Sequence, residues 1–263
     1  NTAGASTLAA LAVPEDRIET VAAIVGAEPG VNHSYQREAD WNLWFVATAP
    51  DAAALAAMLA RIEAASGLPL LDLRLVRPFN IDLGFPLRGD KVAMPCKRRV
   101  ETAVLRADDS PLLHALSAGL HLTPRPFASL ALRLGRAESA VIARIGMLLA
   151  AGILTRLGVI VRHRALGFTA NAMVVWDVPE TATCAAGQAL AALPGVTLAY
   201  ERRPVAGVWP YRLYCMVHAR SRAEALAVLD TARTLPDLAG IDHRVLFSTR
   251  CFKQAGARLS EAA

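Results

Sequence analysis

The chain has 263 residues, 54% of them hydrophobic, and a formal net charge of +5, room for two or three small domains with cores of their own. No apolar run reaches the roughly 18–20 residues of a membrane span without a break or a charge, and the opening NTAGASTLAALAVPED lacks the basic start of a signal peptide; a cytoplasmic protein with no membrane partner is expected. Cys96, Cys184, Cys215 and Cys251 show no CxxC spacing, which argues against a cysteine-built metal site or a disulfide framework and leaves small buried hydrophobes as their expected role.

Lysine occurs only at 91, 97 and 253, so the basic residues are almost all arginine. A GC-rich genome is the bland explanation. The functional one is that guanidinium forks grip carboxylates or phosphates in pairs, with nucleic acid or a polyanionic small molecule as partner.

In chain order, segments rich in Val, Leu, Trp and Phe predict strands near 7–13, 31–37, 41–48 and 70–77. Apolar residues recurring every three to four positions predict helices near 14–27 and 51–66. Pro14 suits a first helical turn, as does Pro179 later, and Asp51 suits an N-cap or first-turn acid. A connector over 77–101 follows, with Pro78, Gly84, Pro86, Gly89, Pro95 and the basic run Lys97, Arg98 and Arg99. Next, 110–160 predicts three helices broken at 123–126 and at Gly135, and TRLGVIVRH (155–163) a hairpin. Together they make a winged helix-turn-helix. It runs into VRHRALGFTANAMVVWDV (161–178), which sets Arg162, His163 and Arg164 side by side before an apolar strand.

From Val178 the first pattern returns. VPEDRIETVAAIVGAEPGVNHSYQRE aligns with VPETATCAAGQALAALPGVTLAYERR at an offset of 165, and LWFVATAPDAAALAAMLARI with LYCMVHARSRAEALAVLDTA at an offset of 170. Five residues are therefore inserted near 204–208. The closing strands LDLRLV and IDHRVL align at the same 170. Each copy reads strand, helix, strand, strand, helix, strand. The expected fold is α+β: two ferredoxin-like (βαββαβ) domains at 1–85 and 166–263, a linker at 86–107, and an intervening winged helix-turn-helix at 108–165. The chain also begins mid-repeat, which predicts that a first helix-turn-helix unit is missing ahead of it.

A helix-turn-helix followed by a ferredoxin-like domain resembles the Lrp/AsnC regulators. A recognition helix needs several exposed polar side chains to reach bases and phosphates. AESAVIARIGMLLAAG offers Glu138, Ser139 and Arg144 and is otherwise apolar. No functional DNA binding is expected.

Polar and aromatic residues that a core does not require gather in the second hairpin of each copy. The first holds His33, Tyr35, Arg37, Trp41, Asn42 and Trp44; the second holds Tyr200, Arg202, Arg203, Trp209, Tyr211, Arg212 and His218. Tyr35 matches Tyr200 and Arg37 matches Arg202, whereas His33 faces Leu198 and His218 faces Thr48. Two unlike halves of this kind suit one asymmetric ligand bound between them. His33 and His163 lie on strands amid polar neighbours and are read as functional. His218 ends the apolar CMVH and could equally be a satisfied strand-end histidine. His114, His121 and His243 are read as structural or exposed.

GVNHSYQRE…DWNLWFVATAP resembles the D-type half, and RHRALGFTANAMVVWDVPE with WPYRLYCMVH the L-type half, of the fused siroheme decarboxylases of heme d1 biosynthesis. The chain departs from related members in reading VTLAY where they carry a histidine in a VSHCY-like stretch. The resemblance implies decarboxylation of two acetate side chains of siroheme to methyls, giving 12,18-didecarboxysiroheme, with no added cofactor and with siroheme itself, an iron tetrapyrrole, as substrate. Its carboxylates call for fixed cations, for which Arg37, Arg162, Arg164, Arg202, Arg203 and Arg212 are candidates. The carbanion left by carbon dioxide needs an acid, for which His33, His163 and His218 are candidates. Tyr35, Trp41, Tyr200, Trp209 and Tyr211 could cover the macrocycle or could be core. A histidine could instead ligate the substrate iron; the sequence does not separate the two. A homodimer is expected, and the rival reading is an Lrp-type regulator that senses a tetrapyrrole.

Overall fold

The computed structural model describes residues 4–81, 100–154, 157 and 166–255. The first half of the chain gives β1 (Ala5–Leu11), α1 (Ile18–Ala27), β2 (Val31–Arg37), β3 (Leu43–Ala49), α2 (Ala52–Ser66) and β4 (Leu70–Ile81). Three helices follow: α3 (Ser110–Ser117), α4 (Pro126–Arg133) and α5 (Glu138–Ala150). The second half gives β5 (Ala170–Trp176), α6 (Thr183–Ala192), β6 (Val196–Arg202), β7 (Leu213–Ala219), α7 (Arg222–Arg233) and β8 (His243–Gln254).

The strands do not form the two separate sheets expected. They close into one antiparallel barrel in the order β1-β3-β2-β8-β5-β7-β6-β4. Within each half the order is that of a βαββαβ unit. The halves fuse because β4 and β8 each run 12 residues. The first part of β4 pairs with β1 and its second part with β6, and β8 likewise divides between β5 and β2. The connector predicted from Arg77 is thus strand as far as Ile81. Among the described residues closure leaves no unpaired sheet edge.

A pseudo-twofold relates the halves. Leu11 pairs with Leu70 as Trp176 pairs with His243, so the closing strands correspond at an offset of 173. The offset of 170 drawn from LDLRLV and IDHRVL is therefore out of register. The cause is the longer run 234–242 between α7 and β8 compared with 67–69 between α2 and β4. The corrected register aligns Phe79 with Phe252. Each leaves its own half: Phe79 packs in the second half's helix layer and Phe252 against the first's.

Both faces of the barrel wall carry core residues. Outward residues such as Ala9, Leu11, Leu43 and Phe45 pack under α1 and α2, and Val174, Trp176, Leu213 and Val217 under α6 and α7. Inward residues of both halves, among them Leu8, Leu73, Trp44, Met173 and Leu246, share a third core inside the barrel. Asp51 caps α2, accepting from the Ala54 N–H at 2.7 Å, and Gly67 ends it at φ 66°, a left-handed conformation suited to glycine. Pro14 instead precedes a 3-10 turn at Glu15–Arg17, and Pro179 lies ahead of the start of α6 at Thr183.

Helices α3, α4 and α5 pack around Leu112, Leu130, Val141, Ile145 and Leu148. The predicted hairpin at 155–163 and the basic run at 97–99 lie outside the described residues, apart from Leu157. Among the described residues no helix is long and apolar enough to cross a membrane. Cys215 is buried as expected, but Cys251 on β8 is exposed.

Candidate active site

A β-bulge sets the site's phase. Val31 pairs with Ala47 and His33 with Val46, leaving Asn32 as the extra residue. Val31 therefore packs outward, while His33, Tyr35 and Arg37 face the barrel interior with Trp44 and Val46. Strand β6 repeats this, with a bulge between Val196 and Leu198 at Thr197, and with Leu198, Tyr200 and Arg202 facing inward. On β7, His218 continues the inward series of Tyr214 and Met216.

Among the described residues one end of the interior is the more exposed and the other is plugged. At the exposed end Pro78 and Cys251, cross-strand from Tyr200 and Tyr35, are exposed, and His33, Tyr35 and His218 are half-buried. At the other end Trp209 donates to the Tyr214 hydroxyl at 2.8 Å, packs against Trp44 with ring centroids 5.3 Å apart, and meets Tyr211 at 4.9 Å. All four are at most 3% exposed. Trp209 and Tyr211 are core residues, and Trp41 lies against the same core, its carbonyl accepting from Trp44.

Between the two ends lie two inward-facing arginines. Arg37 is 7% exposed and extends beside the Tyr35 ring, 5.8 Å from its centroid. Its Nη1 donates to the Leu246 carbonyl at 3.1 Å, and its Nε is buried without a partner. Burial lowers its pKa from 12.5 to about 10, with Tyr200 and Tyr35 opposing the shift. Arg202 repeats the arrangement: 4.7 Å from the Tyr200 centroid, Nη1 to the Leu73 carbonyl at 2.7 Å, Nε without a partner. Among the described residues neither forms an ion pair with a carboxylate. A cation with an unused buried donor is chemically suited to an anion.

Each of two histidines has Nδ1 against a buried polar side chain. His33 Nδ1 lies 2.9 Å from Asn32 Oδ1, and burial lowers its pKa below 6.5. His218 Nδ1 lies 2.8 Å from Thr197 Oγ1. Beside His218 on β5, Asn171 turns inward with Oδ1 buried and unpartnered. Asn32, Thr197 and Asn171 were missed in reading the sequence; the signal for the first two is the repeated PGV before Asn32 and Thr197.

The other sequence-derived candidates do not gather here. Arg212 is committed to Glu180 at 3.1 Å and Glu201 at 3.8 Å. Arg203 is exposed at the end of β6, its N–H bonded to the Arg74 carbonyl. Arg162, His163 and Arg164 lie outside the described residues. A cleft of about 370 Å³ beside Thr169, Arg222 and Phe247 and another of about 630 Å³ beside Arg233 and His243 contain none of the inner-face histidines or arginines named above.

The AsnC-like ligand binding domain family matches residues 3–79 and 165–253, and the siroheme decarboxylase NirDL-like HTH domain family matches residues 109–154. The siroheme decarboxylase NirDL subunit of Paracoccus denitrificans (strain Pd 1222) is 63% identical over 263 residues, all of this chain and 81% of that protein. The chain belongs to the siroheme decarboxylases. The NirDL subunit of Paracoccus pantotrophus is 65% identical over 264 residues, with the same coverage. A siroheme decarboxylase crystal structure, that of a NirDL protein, is 28% identical and superposes with a TM-score of 0.68 over 97% of this chain and 75% of that one. A second, in complex with an iron-uroporphyrin III analogue, gives 0.67 over the same shares. In this siroheme decarboxylase Arg144 of α5 is turned inward: 6% exposed, it donates to Asp109 at 2.7 Å and to the Val104 carbonyl at 2.6 Å. Glu138 pairs with Arg125.

Proposed function

We propose that the chain decarboxylates siroheme, converting two acetate side chains to methyls to give 12,18-didecarboxysiroheme for heme d1 biosynthesis, and that the exposed end of the barrel is where this occurs. The observation that carries the location is the pair Arg37, buried, and Arg202, half-buried, each with an Nε that is buried without a hydrogen-bond partner and with no carboxylate partner among the described residues. A substrate rich in carboxylates supplies what they lack. With the substrate held, the bond between the acetate carbon and its carboxyl carbon breaks and carbon dioxide leaves. The electron pair remains on the side-chain carbon, delocalised into the macrocycle, until a proton from an imidazolium Nε2 converts it to methyl and leaves a neutral imidazole.

His33 and His218 are the proposed donors, with His163, flanked by Arg162 and Arg164, as a third. Arriving carboxylates raise the proton affinity of His33 against the lowering by burial. Tyr35 and Tyr200 flank the arginines where a macrocycle edge would rest. One of the histidines could bind the substrate iron instead. No added cofactor enters the reaction. The finer architecture follows: two ferredoxin-like halves at 1–85 and 166–263, fused into a barrel, with a linker at 86–107 and a winged helix-turn-helix at 108–165 that has no DNA role, in a homodimer.

Anaerobic incubation with siroheme followed by mass spectrometry of the extracted tetrapyrrole tests the function. A mass lower by two carbon dioxides is expected; siroheme recovered unchanged contradicts it.

A further inference from the structure

We propose that Asn32 and Thr197, the extra residues of the two equivalent β-bulges, are positioning residues that hold His33 and His218 by Nδ1 and present Nε2 of each as the proton-transferring atom. This rests on the reading of both histidines as proton donors in the decarboxylation.

The two bulge residues correspond at the offset that relates β2 to β6, and the register breaks at both in the same way. The histidines do not correspond: His33 is the neighbour of its bulge on β2, while His218 lies across on β7. The halves have thus placed the imidazole on different strands and kept its hydrogen-bond partner at one position. A partner retained while the group it serves has moved is what orientation requires.

The chemistry of each contact selects the same tautomer. Asn32 Oδ1 can only accept, so at 2.9 Å it takes the proton of His33 Nδ1. The Thr197 hydroxyl has one proton and gives it to the Met216 carbonyl at 3.0 Å. Towards His218 Nδ1, at 2.8 Å, that oxygen is left as an acceptor. Neutral imidazole carries one N–H; with that proton on Nδ1, Nε2 holds the lone pair that takes up and hands over a proton. Asn32 and Thr197 are 5% and 6% exposed, so water competes little for either contact.

The test uses the full chain labelled with ¹⁵N-histidine, with resonances assigned from His33→Gln and His218→Gln. The expected spectrum shows both histidines as the Nδ1–H tautomer. Asn32→Ala and Thr197→Val should each drive only its own histidine into a tautomer mixture. Each should slow siroheme turnover about tenfold or more while leaving siroheme binding within about threefold. Thr197→Ser, which keeps the hydroxyl, should restore both readings and guards against a fold defect. An Nε2–H tautomer in the unaltered chain, tautomers unmoved by the variants, or turnover unchanged when they mix overturns the proposal. If the unaltered chain shows the stated tautomers but leaves siroheme intact, the decarboxylase reading has failed, and the role of Nε2 with it.

Discussion

Arg37 and Arg202 reach across the two seams of the barrel in the same way, each donating Nη1 to a carbonyl on the closing strand of the opposite half, Leu246 at 3.1 Å and Leu73 at 2.7 Å. Those carbonyls are themselves equivalent in the corrected register. The arginines therefore sit where the two halves meet, and the Nε of each is buried without a hydrogen-bond partner.

Burial of Arg37 works against the empty fold. A pKa lowered from 12.5 to about 10 is roughly 3 kcal/mol, at about 1.4 kcal/mol per unit. Losing the bond to Leu246 costs about 1 kcal/mol in return. Arg37→Met is thus expected to leave the empty protein as stable as the unaltered chain, or more so, in thermal melts. Siroheme binding by Arg37→Met or Arg202→Met should weaken about tenfold or more. A destabilised Arg37→Met that binds siroheme normally would show that the arginine serves the fold alone.

Acidification should be felt at His33. Burial favours its neutral form, so its folded pKa lies below the unfolded 6.5. Its contribution to stability is complete above 6.5 and is lost as pH falls through the folded value. Denaturation midpoints of the empty protein measured between about pH 7.5 and 5 should fall less steeply in His33→Gln than in the unaltered chain. Parallel curves would place His33 in a more solvated setting than the one seen.

In the helix-turn-helix, the Arg144 guanidinium holds the Asp109 carboxyl below the usual carboxylate range. Stability from this pair is present above the unfolded pKa and lost as pH falls through the depressed one. Asp109→Asn should lower the melting temperature at neutral pH, with the difference shrinking in acid. Because Arg144 is spent on this contact, a gel-shift titration with DNA should give no salt-sensitive complex, and Arg144→Met should change nothing in it. A complex that weakens steeply with salt would revive the regulator reading.

Phe79 carries β4 into the second half's helix layer and lies against Gly187 of α6, where an added Cβ would come within 2.2 Å of the ring. Gly187→Ala gains up to about 1 kcal/mol of helix propensity but forces the ring aside at about 1–3 kcal/mol. A net loss of stability is expected in thermal melts, and a gain would mean that the ring moves freely.

Much of this was legible in the repeat. The matches of Tyr35 with Tyr200 and Arg37 with Arg202 follow from the offset of 165 and hold in space, as does the pairing of His218 with Thr48 at 170. Barrel closure was not legible: the far end of β4 holds Arg77, Pro78 and Asn80, whose polarity and proline read as connector, and the far end of β8 holds Arg250, Lys253 and Gln254, whose polarity does not announce a strand until another pairs with it. Trp209 and Tyr211 stand in a polar hairpin, so the sequence left ring cover and core both open; the closed barrel gives them a core to enter. The roles of Asn32 and Thr197 depend on a bulge, and a one-residue register slip leaves no mark in composition or periodicity.

The most direct measurement is anaerobic siroheme turnover by the His33→Ala/His218→Ala double variant, followed by mass spectrometry with siroheme binding checked in parallel. Loss of general-acid catalysis should slow turnover about 10²- to 10⁴-fold with binding retained. Full conversion at the unaltered rate would contradict the account and move the chemistry away from the exposed end of the barrel.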